Sequence, residues 1–171
     1  MKTDTYTQYK QLMLEKERKY ETLLRQLKSL LQDETNTIAI LSETCAIIHD
    51  VMGFFWVGFY LVEGDELVLG PFQGSVACLR IKKGRGVCGS AWQQRKTIIV
   101  PDVEKFVGHI ACSSLSRSEI VVPIFNVSNG TETDSQPEII GVLDIDSTEI
   151  GTFDETDAKY LEEIIDTITH L

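Results

Sequence analysis

The sequence predicts an α+β domain in which a central antiparallel sheet is covered by N- and C-terminal helices. Three observations carry this reading. Apolar residues at helical spacing are concentrated at the two ends of the chain. Between them the period changes to two, in runs rich in aromatic and β-branched residues. The resulting order is helix, helix, strands, short helix, strands, helix, and strands gathered in runs favour antiparallel pairing. With 171 residues and no repeat or linker, the chain reads as one domain, 1–171.

The N-terminal segment 1–31 reads as a helix, regular from residue 5. Tyr20, Leu24, Leu27 and Leu31 follow spacings of 4, 3 and 4, and Leu23 and Leu30 widen the stripe. Its seven Lys/Arg against four Asp/Glu make it basic. The stripe suits a homodimer contact and the monomer core equally. A second helix follows from Ile38, Leu41, Cys45, Ile48 and Met52, which puts Cys45 in the core without chemistry and His49 at the helix end. Strands are then expected at 54–62, after a Gly64-Asp65 turn at 66–69, and at 78–81. A short helix at 87–95 precedes strands at 97–100, 118–125 and 138–146. The polar run 126–137 reads as a surface loop. A closing helix starts near Asp154, a good N-cap, with Asp157 favouring the positive helix end and Ala158, Leu161, Ile164, Ile165 and Ile168 supplying the buried face.

Composition excludes several classes of function. Net charge is −10, and beyond residue 131 there are twelve acids and one lysine. Such a surface repels a phosphate backbone, so no nucleic-acid partner is expected, whereas a cationic or zwitterionic small ligand fits. No run of about 18 apolar residues exists for a membrane span. The first residues lack a signal-peptide core, so a cytoplasmic setting with reduced thiols is expected.

Cys78, Cys88 and Cys112 lie in loop-like surroundings and form no CxxC, so no metal site is expected. Separated thiols in loops suit a disulfide relay, and they equally suit inert buried thiols. The Gly84-Arg85-Gly86-Val87-Cys88-Gly89 segment lacks phosphate-loop spacing. It reads as a turn before a helix whose first amides can hold a ligand carboxylate and whose N-terminus favours the Cys88 thiolate. On the first strand Trp56, Gly58 and Tyr60 share a face, with glycine leaving room for a small ligand between two rings. On the last strand Asp144 and Asp146 share a face, which reads either as a solvated surface or as a cup for an ammonium group or a proton donor. Glu119, opening the 118–125 strand, can reach the same cup.

From about residue 35 onward, these segments resemble the free methionine-(R)-sulfoxide reductases, which are single GAF domains. The motifs, in order, are Trp56-Val-Gly-Phe-Tyr-Leu, Leu69-Gly-Pro-Phe-Gln-Gly74, Gly84-Arg-Gly-Val-Cys-Gly89, Gly108-His-Ile-Ala-Cys112, Ser116-Arg-Ser-Glu-Ile-Val-Val-Pro123 and Gly141-Val-Leu-Asp-Ile-Asp-Ser147. The resemblance implies that Cys112 attacks the sulfoxide sulfur and that Cys78 resolves the resulting sulfenic acid, with Cys88 as a second or alternative resolving thiol. It implies that Glu119, Asp144 and Asp146 hold the substrate ammonium and help protonate the departing oxygen, beside an aromatic wall of Trp56 and Tyr60. No bound cofactor is implied. Thioredoxin, fed by NADPH through thioredoxin reductase, is the implied reductant, and the oxidative stress response is the implied setting. Preference for the R epimer also comes from the resemblance. A GAF domain that senses a small ligand without chemistry, and a thiol switch acting on a partner protein, are the rival readings.

Overall fold

In the computed structural model, which describes residues 2–126 and 137–171, helix α1 spans Lys2–Leu30. Its residues Tyr20, Leu23, Leu24 and Leu27 are buried, with Leu31 just past its end, so the stripe enters this chain's own core. Leu12 and Leu14 remain exposed. Helix α2 (Thr37–Met52) is capped by the Asn36 side chain, which accepts from the Ala39 amide, and it ends at Gly53, whose φ of 73° lets its N–H return to His49 O. Cys45 lies fully buried on the core face of α2, as expected. Ile38, placed on the same stripe by its spacing, is 69% exposed, and Ile40 is buried instead.

Strand β1 (Trp56–Glu63) pairs antiparallel with β2 (Glu66–Gln73) across the predicted Gly64-Asp65 turn. Strand β1 begins two residues later than expected, since Gly53 ends α2 and Phe54 packs on Phe153. The expected strand at 78–81 is shifted: β3 is Arg80–Lys82, and Cys78 belongs to the preceding loop. After α3 (Gly86–Gln94) and β4 (Ile98–Val100) comes a 3-10 turn, Val103–Lys105, which no apolar periodicity announces. Strands β5 (Ser118–Phe125) and β6 (Ile139–Ser147) and helix α4 (Glu155–Thr169) complete the chain. Most of the predicted polar loop, 127–136, lies outside the described residues.

The six strands form one antiparallel sheet in the order β3-β2-β1-β6-β5-β4. Alternation divides it cleanly. Val57, Phe59, Ile120, Val122, Leu143 and Ile145 face α1, α2 and α4 in the larger core. Trp56, Tyr60, Val121 and Val142 face the other way, toward Val87, Cys88, Ala91 and Trp92 of α3. Each large side chain buried contributes about 1.5–3 kcal/mol, so the helix-covered face supplies most of the apolar stabilisation and the opposite face can carry polar groups.

Asp157 does more than the helix-end role its position suggests. It completes a capping box with Asp154. It is fully buried, accepts from Tyr20 Oη at 2.7 Å, and pairs with Lys16 Nζ at 2.6 Å. Helix α1 is thereby tied to the start of α4. Among the described residues, no helix is long and apolar enough to cross a membrane.

Candidate active site

Strand register brings the acids together. Asp146 stands opposite Trp56 on one side and Glu119 on the other, while Asp144 stands opposite Gly58 and Val121. Like charges directly opposed destabilise a sheet, so this convergence calls for a cation or for shared protons. Glu119 and Asp144 are each only 6% exposed, which removes the solvated-face reading for Asp144.

The electrostatics follow from that burial. Desolvation first, then the charges of Asp144 and Asp146, push the Glu119 carboxyl well above its ordinary range. Burial, then the Asp146 charge, does the same to Asp144. Burial raises Asp146 to about 6, opposed by a hydrogen bond from Ser116. One oxygen of Asp144, Oδ1, is buried without a hydrogen-bond partner, which leaves an acceptor directed at whatever fills the pocket.

Two loops close over this sheet face. The one before β3 carries Val76, Ala77 and Cys78, and the one before β5 carries His109, Ile110, Cys112, Ser113 and Ser116; all but Cys78 line one pocket with the acids. A disulfide joins Cys78 to Cys112 across 34 residues, with their Cα atoms 5.2 Å apart. Cys45 and Cys88 are free and buried. Burial pushes the Cys45 thiol up to about 12, and its Sγ lies 3.3 Å from Pro71 O, consistent with the inert role expected for it.

Cys88 departs from expectation. It does lie in the first turn of α3, where the helix N-terminus favours a thiolate. Burial and the charges of Asp144 and Glu119 nevertheless raise its pKa well above the ordinary thiol value. Its Sγ is 3.9 Å from Glu119 Oε1. The same helix start, with no side-chain cap at Arg85, presents Gly86 and Val87 to the pocket, in keeping with a carboxylate-binding end.

Trp56 also differs from its predicted arrangement. The glycine between the two rings does not leave a gap. A Cβ at Gly58 would lie 2.2 Å from the indole Cη2 and 2.7 Å from Phe72 Cβ, so the indole itself covers Gly58. At Gly74, where φ is +130°, a Cβ would lie 2.5 Å from the same indole. The ring stacks between Tyr60 and Phe72, and its Nε1 donates to Ser75 O at 3.0 Å. Tyr60 Oη donates to Cys78 O, which ties the aromatic wall to the disulfide loop.

Two contributors escaped the sequence, and a third, the histidine before Cys112, has a partner that the sequence did not show. His109 Nε2 is 3.8 Å from Glu119 Oε2, and burial lowers its pKa, so at neutral pH a neutral imidazole faces that carboxyl. Its place three residues before Cys112 was visible, but its partner was not. Ser116 steadies Asp146, and Phe72 reaches Trp56 only through the β1–β2 register. No local pattern marks either one.

A family model described as GAF domain matches residues 36–169. An Escherichia coli protein named free methionine-R-sulfoxide reductase is 45% identical over 147 residues, 85% of this chain and 84% of that protein. The free methionine-R-sulfoxide reductase of Neisseria meningitidis, solved in complex with its substrate, superposes with a TM-score of 0.80 at 52% identity, covering 88% of this chain and 86% of that one. A Dictyostelium discoideum protein named GAF domain-containing protein A is 58% identical over 88% of this chain and 90% of its own length.

Proposed function

This chain belongs to the GAF-domain family of free methionine-(R)-sulfoxide reductases, and from that premise we propose that it reduces free L-methionine-(R)-sulfoxide to methionine with its own thiols. The observation that carries the proposal is the Cys78–Cys112 disulfide beside three acids, Glu119 and Asp144 buried and Asp146 half-buried. A free amino acid presents an ammonium group that a peptide-bound methionine lacks. Glu119, Asp144 and Asp146 offer it acceptors, and the unpartnered Asp144 Oδ1 is the one with no other use. The α3 N-terminus takes the carboxylate, and Trp56 and Tyr60 wall the methyl–sulfur end.

The Cys112 thiolate attacks the sulfoxide sulfur while Glu119, whose protonated form burial favours, protonates the oxygen. Methionine leaves, and Cys112 holds the oxygen as a sulfenic acid. The Cys78 thiol displaces that oxygen as water, forming the disulfide. In sum, two thiols and one sulfoxide give a disulfide, methionine and water. Cys88, whose thiol stays free here, is a second resolving group only if it can leave its acidic surroundings. A dithiol reductant must reopen the bond each cycle, and thioredoxin, in a cytoplasmic setting, is our assignment.

The test is consumption of free methionine sulfoxide with thioredoxin, thioredoxin reductase and NADPH, with the epimers resolved by chiral chromatography. Loss of the R epimer alone is expected, and none with Cys112→Ser. No turnover by the folded, reduced protein would point to a sensing domain instead. Cys78→Ser should release one equivalent of methionine and then stall; sustained turnover would transfer resolution to Cys88.

A further inference from the structure

Cys88 sits among the acids of the pocket in the disulfide-bonded protein, yet the reaction assigned above passes through Cys78 and Cys112 alone. We propose that Cys88, Glu119 and Asp144 form a site for a thiophilic divalent cation of the Zn²⁺ class. The inference rests on this cluster and needs no assumption about the substrate.

The geometry is close to what such an ion requires. One ligand atom from each of the three residues lies within 4.8 Å of the other two, and all three residues are buried. Zinc–sulfur and zinc–carboxylate distances of about 2.3 and 2.0–2.2 Å place tetrahedral S and O ligands about 3.5 Å apart. Cys88 Sγ and Glu119 Oε1 stand at 3.9 Å, so a few tenths of an ångström close that edge, and the Asp144 oxygen lies within 4.8 Å of both ligands. The second, independent observation is Asp144 Oδ1, buried and unpartnered in a side chain that lines the pocket. A tetrahedral ion would take its fourth ligand from water.

The thiol decides the class of cation. Carboxylates alone would suit an ammonium, Mg²⁺ or Ca²⁺, all of which prefer oxygen. A sulfur ligand beside two carboxylates favours Zn²⁺ and its neighbours. As the ion binds, the thiol proton goes to water and the sulfur coordinates as thiolate.

The disulfide form provides a clean test, because only Cys45 and Cys88 remain free in it, and Cys45 is buried in the opposite core. Co²⁺, a spectroscopic stand-in for Zn²⁺, is titrated into the oxidised full chain. One equivalent is expected to raise a sulfur-to-cobalt charge-transfer band in the near ultraviolet, and Zn²⁺ to bleach it. Cys88→Ser should abolish the band. Asp144→Asn keeps the thiol and should weaken Co²⁺ binding at least ~10-fold. Absence of the band in the unmodified protein, its survival in folded Cys88→Ser, or unchanged affinity in Asp144→Asn would each overturn the site. Circular dichroism establishes folding, and Asp144→Asn decides the matter if Cys88→Ser does not fold.

Discussion

Asp146, Asp144 and Glu119 cannot all ionise at ordinary cost inside one buried pocket, and this sets two measurable behaviours. The folded-state value of Asp146 is raised from 3.8 to about 6, so its contribution to stability is whole below the unfolded carboxyl's range. It is lost as pH climbs toward 6, where the unfolded chain has already released that proton. The shift corresponds to about 3 kcal/mol. Denaturant unfolding should therefore show stability declining between pH 4 and 6, and Asp146→Asn should remove a share of that decline. For the reaction, Asp144→Asn keeps the shape of the pocket while withdrawing a charge. It should lower kcat/KM by about 100-fold or more yet leave peroxide-driven formation of the Cys78–Cys112 disulfide intact. Unchanged turnover in Asp144→Asn would favour a redox switch over a substrate cup. That Asp144 and Asp146 share a face was legible from D-x-D alternation, because side-chain direction along a strand is fixed by geometry, whereas their burial was not. The suppressed acidity of Cys88 was not legible, because it depends on carboxylates that sit 31 and 56 positions away in the chain.

At the scale of elements, β1 shows what periodicity gives and what it withholds. Alternation correctly placed Trp56, Gly58 and Tyr60 on one face. Whether the space over Gly58 was open depended on the neighbouring strand, and pairing with Phe72 is set by tertiary register, which no single strand encodes. The same limit explains Cys78, read as the start of a strand. The sheet edge begins two residues later because only Glu66, Leu67 and Val68 of β2 have β3 partners. Gly58→Ala tests the arrangement. Its new methyl would meet both the Trp56 ring and the Phe72 side chain, and overpacking of that kind costs about 1–3 kcal/mol. Calorimetry should show the loss. KM should rise more than kcat falls, since the indole is displaced into the pocket it lines.

At the scale of the molecule, the two sheet faces divide the work. Helices α1, α2 and α4 stabilise one, and the loops and α3 hold the chemistry on the other. Asp157 belongs to the first. Asp157→Ala strips the partner from Tyr20 Oη and from Lys16 and removes the capping box. A loss of about 2–4 kcal/mol is expected, while kcat of the folded protein at low temperature should be unchanged. The disulfide belongs to the second face, and it encloses β3, α3 and β4 in one ring of chain. Cross-linking 34 residues restricts the unfolded ensemble by about 3–4 kcal/mol in the chain-entropy picture. In the proposed cycle, every turnover adds that restraint and every reduction removes it. A population starved of reductant would consist of its hardiest molecules, resistant to heat and protease, while a well-supplied one would be the more perishable. Limited proteolysis of matched oxidised and reduced samples should find the cuts concentrated between residues 78 and 112 of the reduced form, so that the lifetime of each copy records how recently it was recharged.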